Sequence, residues 1–185
     1  TFYSDVYVDD YYRAFGQSVR CVKDDLMSEF PVEPESPELP SGSQLIDYVD
    51  EYGVNHGHGT EIGGVIWAPV NCGYHATDYK WGKLYQWGRK YGQGYDGDAT
   101  TPLIENGWTS EIDGNSLSTS NVFYYGSENW TESINDHLWN SGTDESPVKS
   151  EYDPCPAGWR LPTSVELTDL CLNYSSWIDN DSDFS

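Results

Sequence analysis

The sequence predicts a loop-rich α+β fold of short strands and two helices. Three observations lead there. The apolar runs are short and bounded by Gly, Pro, Asn and Asp. Two stretches carry helical spacing or a helix cap. The apolar surface also sits largely in aromatic rings. Leu, Ile, Val and Phe make up about 19% of the residues, which beside a net charge of -22 would ordinarily mark a disordered chain. Eight Trp and fifteen Tyr overturn that reading. Each such ring buries about 150–250 Å² and keeps a polar tip for hydrogen bonding.

In chain order, Val6–Val8 and Ser18–Val22 read as strands, with Arg13–Gln17 as the turn between them. Val65–Val70 is a short apolar strand in which Pro69 marks an edge or an end. The span Asp78–Tyr91 reads as a helix because Trp81, Leu84, Tyr85 and Gly88 fall at i, i+3, i+4 and i+7. Tyr91–Asn121 is loop-like, rich in Gly, Ser, Thr, Asn and Asp. Thr163 and Glu166 form a capping box that opens a second helix, with Leu167, Leu170, Cys171 and Tyr174 on one stripe. Trp67, Trp81, Trp87 and Trp159 are expected to be buried and close together.

Asp24–Ser43 is different material. Pro31, Pro34, Pro37 and Pro40 recur every third residue, Glu33, Glu35 and Glu38 lie among them, and no basic residue follows Lys23 in this stretch. Such a segment favours an extended polyproline-II spacer. It divides the chain into residues 1–23, a linker and pre-domain segment 24–61, and a larger region 62–185.

With 31 acidic and 9 basic side chains, the chain lacks the basic footprint that nucleic-acid binding requires. No apolar run approaches the roughly 20 residues of a membrane helix, so no membrane insertion is expected within the chain. The residues give no reason to invoke a cofactor or a metal. Asn55-His-Gly-His-Gly59 offers two imidazoles without a third ligand at a familiar spacing, and reads as a flexible turn. Asp179, Asp181 and Asp183 are spaced like the start of a calcium loop, but Phe184 stands where the sharp turn demands Gly. Asp96-Gly-Asp98 is more simply a turn. No Cys-x-x-Cys pair and no Gly-x-Ser-x-Gly elbow occurs.

The most specific local signal is Tyr152-Asp-Pro-Cys-Pro-Ala-Gly-Trp-Arg-Leu-Pro-Thr163. Pro154 and Pro156 fix the backbone around Cys155, Gly158 permits a turn, and Pro162 stops the short Trp159–Leu161 strand before the helix cap. Together with Gly64-Val-Ile-Trp-Ala-Pro-Val-Asn71 and the aromatic run holding Gly82, Tyr85 and Trp87, it resembles the FISUMP-type major paralogous domain of secreted bacterial proteins. That family is related to the formylglycine-generating branch of the C-type-lectin-like fold. The resemblance implies a C-type-lectin-like fold with small twisted antiparallel sheets, incomplete at its C-terminus. The family's closing strand is similar to Gly16-Gln-Ser-Val-Arg-Cys-Val22, which here stands at the other end of the chain. Residues 1–23 are therefore expected to be the tail of one domain and 62–185 the opening two-thirds of the next; a circular permutation is the alternative.

The resemblance also implies that the motif cysteine meets a closing-strand cysteine. The matching positions here are Cys155 and Cys21, which in an array would each pair in another domain and which pair with each other only if the N-terminal strands dock on the larger region. Ser18–Val22 is expected to dock on Trp159–Leu161 and bring the two cysteines together; the competing outcome is a detached N-terminal fragment, with each piece owned by a neighbouring domain of a longer array. Cys72 and Cys171 are either a second pair or buried thiols. The related enzymes use reactive cysteines and copper, and no close cysteine pair of that kind is recognisable, so no catalytic activity is expected. What remains is binding. Tyr7, Asp9, Asp10, Tyr11, Tyr12 and Arg13 combine large contact area at low rotamer cost with adaptable hydrogen bonding. They are the candidate ligand-binding residues, unless the tyrosines simply pack a core. The expected partner is a protein or glycan ligand, and the expected setting is secretion or the bacterial cell surface. The alternatives are a structural stalk repeat and, further off, an enzyme of the formylglycine-generating type.

Overall fold

A computed structural model of the chain describes residues 16–24, 46–77, 79–96, 101–103, 108–110, 122–124 and 137–174. The architecture is loop-rich α+β, with small sheets and one short helix among these residues. Strands β1 (Gly16–Ser18) and β2 (Val22–Lys23) are followed by β3 (Asp47–Val49), β4 (Asn55–His58), β5 (Thr60–Ile62) and β6 (Val65–Trp67). Then come β7 (Leu84–Gln86), β8 (Gly94–Asp96), β9 (Thr101–Leu103), β10 (Trp108–Thr109), β11 (Phe123–Tyr124) and β12 (Trp159–Arg160). Helix α1 (Ser164–Asp169) runs on into a wider turn of π type over Leu170–Tyr174.

The central sheet has the order β12-β2-β6-β5, with every neighbouring pair antiparallel. An N-terminal strand thus lies inside the sheet, between two strands far along the chain. Val22 pairs with Trp67 on one side and Arg160 on the other. The expected Ser18–Val22 strand is divided. Gly16–Ser18 pairs with β7, and Val19 to Cys21 crosses between the sheets on hydrogen bonds from the Cys72 N–H to the Val19 carbonyl (2.8 Å) and from the Ala68 N–H to the Cys21 carbonyl (2.9 Å). Residues 16 and 17 are strand, not turn. β6 ends at Trp67, just before Ala68 and Pro69, so the proline marks an end rather than an edge.

The helix expected over Asp78–Tyr91 is not there. That region holds turns and β7, whose Leu84, Tyr85 and Gln86 are all buried. Glycine decides the outcome. Gly82 and Gly88 have φ of 82° and 76°, and a Cβ on Gly82 would lie 2.6 Å from the Asn71 Cβ and 2.7 Å from the Cys72 carbonyl oxygen. Trp81 consequently stands 53% exposed instead of in the core. Trp67 and Trp159 are buried and Trp87 is half-buried.

The second helix starts where its cap predicts. The Thr163 side chain accepts from the Glu166 N–H, and the Glu166 carboxylate accepts from the Thr163 N–H at 2.7 Å. Its apolar stripe stays at the surface, with Leu167 and Tyr174 exposed and no fully buried residue in the helix or the turn beyond it. Tyr174 lies over Gly63, where a Cβ would come within 2.7 Å of the ring.

Part of the stretch assigned from sequence to a pre-domain segment carries structure. β3 and β4 form a hairpin, β5 joins the central sheet, and Tyr48 is fully buried with its ring edge-on to Trp159 at 5.1 Å. Asn55–His58 is strand, not a flexible turn. His56 Nε2 meets the Asp50 carboxylate at 2.8 Å and His58 Nδ1 meets Asp47 at 2.5 Å. Asp24, the first residue of the sequence-defined linker, is buried and donates its N–H to the Gly158 carbonyl at 3.0 Å. The rest of that linker, the Val6–Val8 strand and Asp179–Asp183 lie outside the described residues.

Candidate binding cleft

Two features of the motif region build the ground on which a site stands. The first is a disulfide. Cys21 and Cys155 are bonded, with Cα atoms 5.8 Å apart across a sequence separation of 134. Around it pack Val19, Tyr48, Ala68, Cys72, Tyr85 and Trp159. Cys72 and Cys171 carry thiols and form no second bridge. The Cys72 thiol donates to the Pro154 carbonyl at 3.2 Å, and burial pushes its pKa up to about 11. Burial likewise raises the neighbouring Tyr48 and Tyr85 hydroxyls. At neutral pH the Cys72 sulfur is therefore a protonated core group rather than a nucleophile.

The second feature is Asp153, which organises the Cys-Pro-x-Gly-Trp-Arg turn. One carboxylate oxygen accepts from the Cys155 N–H (2.8 Å) and from Lys149 Nζ (2.9 Å); the other accepts from the Leu161 N–H (2.9 Å). Burial raises its pKa against the pull of Lys149 and the two N–H donors. Arg160, next in the strand, makes a forked pair with Glu166 at 2.8 and 2.7 Å, tying β12 to the cap of α1.

Beside this knot opens a cleft of about 690 Å³. Gln17, Ser18, Val19 and Arg20 form one wall, the loop Asn140–Asp144 a second, and Pro162–Ser164 with Leu167 a third. Trp67, Trp87 and Trp139 line it as well. Polar contacts flank the Trp87 and Trp139 rings. Trp87 sits between Gln86 and Arg89, which are themselves locked: Gln86 exchanges two hydrogen bonds with the Tyr124 backbone, and Arg89 donates to the Gln86 side chain and to the Val122 carbonyl. Burial pulls the Arg89 pKa down to about 10. The Trp139 indole N–H donates to the Arg89 carbonyl at 3.1 Å, which holds the Trp87 and Trp139 rings 6.2 Å apart and tilted by 53°. Arg20 is fixed through Nε to Asn71 (2.7 Å) and through Nη1 to the Ala68 carbonyl (2.8 Å), and burial lowers its pKa.

The loop wall is tied together by hydrogen bonds. Asn140 Oδ1 accepts from the Gly142 and Val148 N–H groups, and Ser164 Oγ donates to Asp144 at 2.9 Å, pinning the loop to the start of α1. The product is an indole-lined recess with a polar rim and one fixed guanidinium. It is suited to an amphipathic ligand with a flat face and hydroxyl or amide groups.

Of the residues singled out from sequence, Cys21 and Cys155 are brought together. Tyr7, Asp9, Asp10, Tyr11, Tyr12 and Arg13 lie outside the described residues; Gln17 on the cleft wall is four positions beyond Arg13 in the chain. Among the described residues no cluster of three or more His, Cys, Asp or Glu side chains is arranged to hold a metal, and His56 and His58 are engaged by Asp50 and Asp47. No helix among them is long and apolar enough to cross a membrane. Sequence reasoning missed Asp153, Arg89, Gln86 and Trp139 as site builders. Only Asp153 carried a local signal, as the residue before Pro154 in the motif. No protein-family model matches the chain, and no curated protein and no solved structure matches it.

Proposed function

We propose that the chain is a non-catalytic, extracellular bacterial binding or adhesion module of C-type-lectin-like, FISUMP-type architecture, which recognises a protein or glycan ligand. The observation that carries this reading is the indole-lined cleft, in which the Trp139 ring and the loop at the rim are held by hydrogen bonds to Arg89 and Ser164. A disulfide supports an oxidising, outside-the-cell setting. It also engages the motif cysteine, while the Cys72 thiol is kept protonated, which disfavours a formylglycine-generating chemistry. Tyr7, Asp9, Asp10, Tyr11, Tyr12 and Arg13, just ahead of the cleft wall in the chain, would supply further ligand contacts. A stalk repeat is the second reading, favoured by the proline spacing of the acidic linker.

The test is to probe the full chain against printed oligosaccharides and immobilised extracellular glycoproteins, beside a Ser164→Trp variant that fills the cleft mouth from an exposed position. Saturable binding that falls at least about tenfold in the variant, roughly 1.4 kcal/mol, supports the cleft. Binding untouched by Ser164→Trp moves the ligand elsewhere, and no binding by folded wild-type chain favours the stalk.

A further inference from the structure

The position of β2 has a consequence beyond ligand binding. It is an inner strand of the central sheet, and on its C-terminal side the backbone leads to β3 through residues 25–45. All its holding contacts are side-chain packing, hydrogen bonds and one disulfide. Val19, Cys21, Val22 and Asp24 are buried. The Ala68 and Cys72 N–H groups donate to the Cys21 and Val19 carbonyls just ahead of it, and at its end the Asp24 N–H and Lys23 Nζ donate to the Gly158 carbonyl. None of these contacts depends on which chain supplies the strand.

The tether argues that exchange occurs. Residues 25–45 hold five acidic side chains, no basic one, and four prolines at a spacing of three. Mutual repulsion and polyproline preference favour extension, at about 3.1 Å per residue. Docking β2 into its own sheet instead asks this segment to double back, since Asp24 bonds to Gly158 and Ile46 bonds to Gly59, both beside Trp159. That requirement lowers the effective concentration of the strand for its own slot, so that the slot of a second copy competes as protein concentration approaches that value.

We propose that segment 16–24 exchanges between copies of this chain. β2 of one copy then fills the slot between β6 and β12 of another, and Cys21 of the first is bonded to Cys155 of the second. The covalent step balances with a disulfide oxidant: the two thiols give up two protons and two electrons to oxidised glutathione, which leaves as two glutathione thiols. The partner is a second copy of this chain, and the exchange links copies head to tail or closes a reciprocal pair.

The test uses the full chain without substitution. Equal amounts of ¹⁵N-labelled and unlabelled protein are reduced, unfolded and refolded together in reduced and oxidised glutathione at rising protein concentration. The product is digested without reduction, and the Cys21–Cys155 linked peptides are weighed. Exchange predicts that mixed-isotope linked peptides rise with concentration, to about a quarter of the total where protein matches the tether's effective concentration, on the order of mM, and toward about half well above it, alongside dimers and larger species in size exclusion. Linked peptides of a single isotope at every concentration would overturn the proposal. Mixed links that join Cys72 or Cys171 in place of Cys21 and Cys155 would do the same.

Discussion

Replacing Asp153 by alanine removes the carboxylate around which the Cys155–Leu161 turn is wound, and the structure sets the size of the loss. Two backbone donors, the N–H groups of Cys155 and Leu161, lose their acceptor in surroundings that water does not reach easily. Each orphaned donor costs about 1–3 kcal/mol. Lys149 loses less, because its side chain is 22% exposed and keeps the Cys155 carbonyl at 2.6 Å. The expected total is about 3–5 kcal/mol, the range for removing one partner of a buried pair. Urea unfolding followed by Trp fluorescence under oxidising conditions reads this directly. With a slope of about 2 kcal/mol per M, the midpoint should fall by about 2 M. A fall of less than about 0.5 M would show that Asp153 does not organise the turn.

Three further outcomes follow from the same contacts. Changing Cys21 and Cys155 together to alanine opens a loop closed over a separation of 134; chain entropy puts the loss at about 5 kcal/mol, measured by the same unfolding curve, and a loss under about 1 kcal/mol would contradict the bridge. Trp159→Ala should cost about 3–5 kcal/mol by removing the ring that packs on Tyr48 and Gly59, and near-wild-type stability would take Trp159 out of the core. Stability should also decline in acid. Burial would raise the Asp50 and Glu166 carboxyls, but hydrogen bonds from His56 and the Val54 and Tyr52 N–H groups hold Asp50 below its ordinary value, and Arg160 and the Thr163 N–H do so for Glu166. Depressed folded-state values mean that this stability is present above the unfolded carboxylate pKa of about 4 and is lost as pH falls through the lower folded values. Asp153, raised by burial, acts with the opposite sign and softens the loss. The Asp50→Asn variant should therefore show a shallower acid decline than wild type; equal declines would remove Asp50 from the account.

What was legible in the sequence is what local chemistry decides. Thr163 and Glu166 announced a helix start because a capping box closes within four residues. Pro69, which has no N–H to donate, signalled an edge or an end of a Val65–Val70 strand, and β6 stops at Trp67, two residues before it. The Cys21–Cys155 bridge was reachable only through resemblance, since spacing cannot choose a pairing. Trp81, Leu84, Tyr85 and Gly88 misled because one apolar set fits both a helix face and a short buried strand; Gly82 and Gly88, with their positive φ, held the deciding information. Tyr48 was invisible for a different reason. Its strand is only three residues long, and Tyr48 packs against Trp159, over a hundred residues away. The cleft is assembled from separate stretches of β1, the Trp87 turn, the Asn140 loop and α1, so no window of sequence contains it.

The claim on which the rest stands is that the N-terminal strands are sealed into the fold through Cys21 and Cys155. Alkylation of the folded, never-reduced chain, followed by digestion without reductant and mass analysis, tests it most directly. The account predicts a Cys21 peptide joined to a Cys155 peptide, with Cys171 alkylated in the folded protein and the buried Cys72 alkylated only after unfolding. Alkylated Cys21 and Cys155, or a Cys155 peptide joined to Cys72, would contradict it.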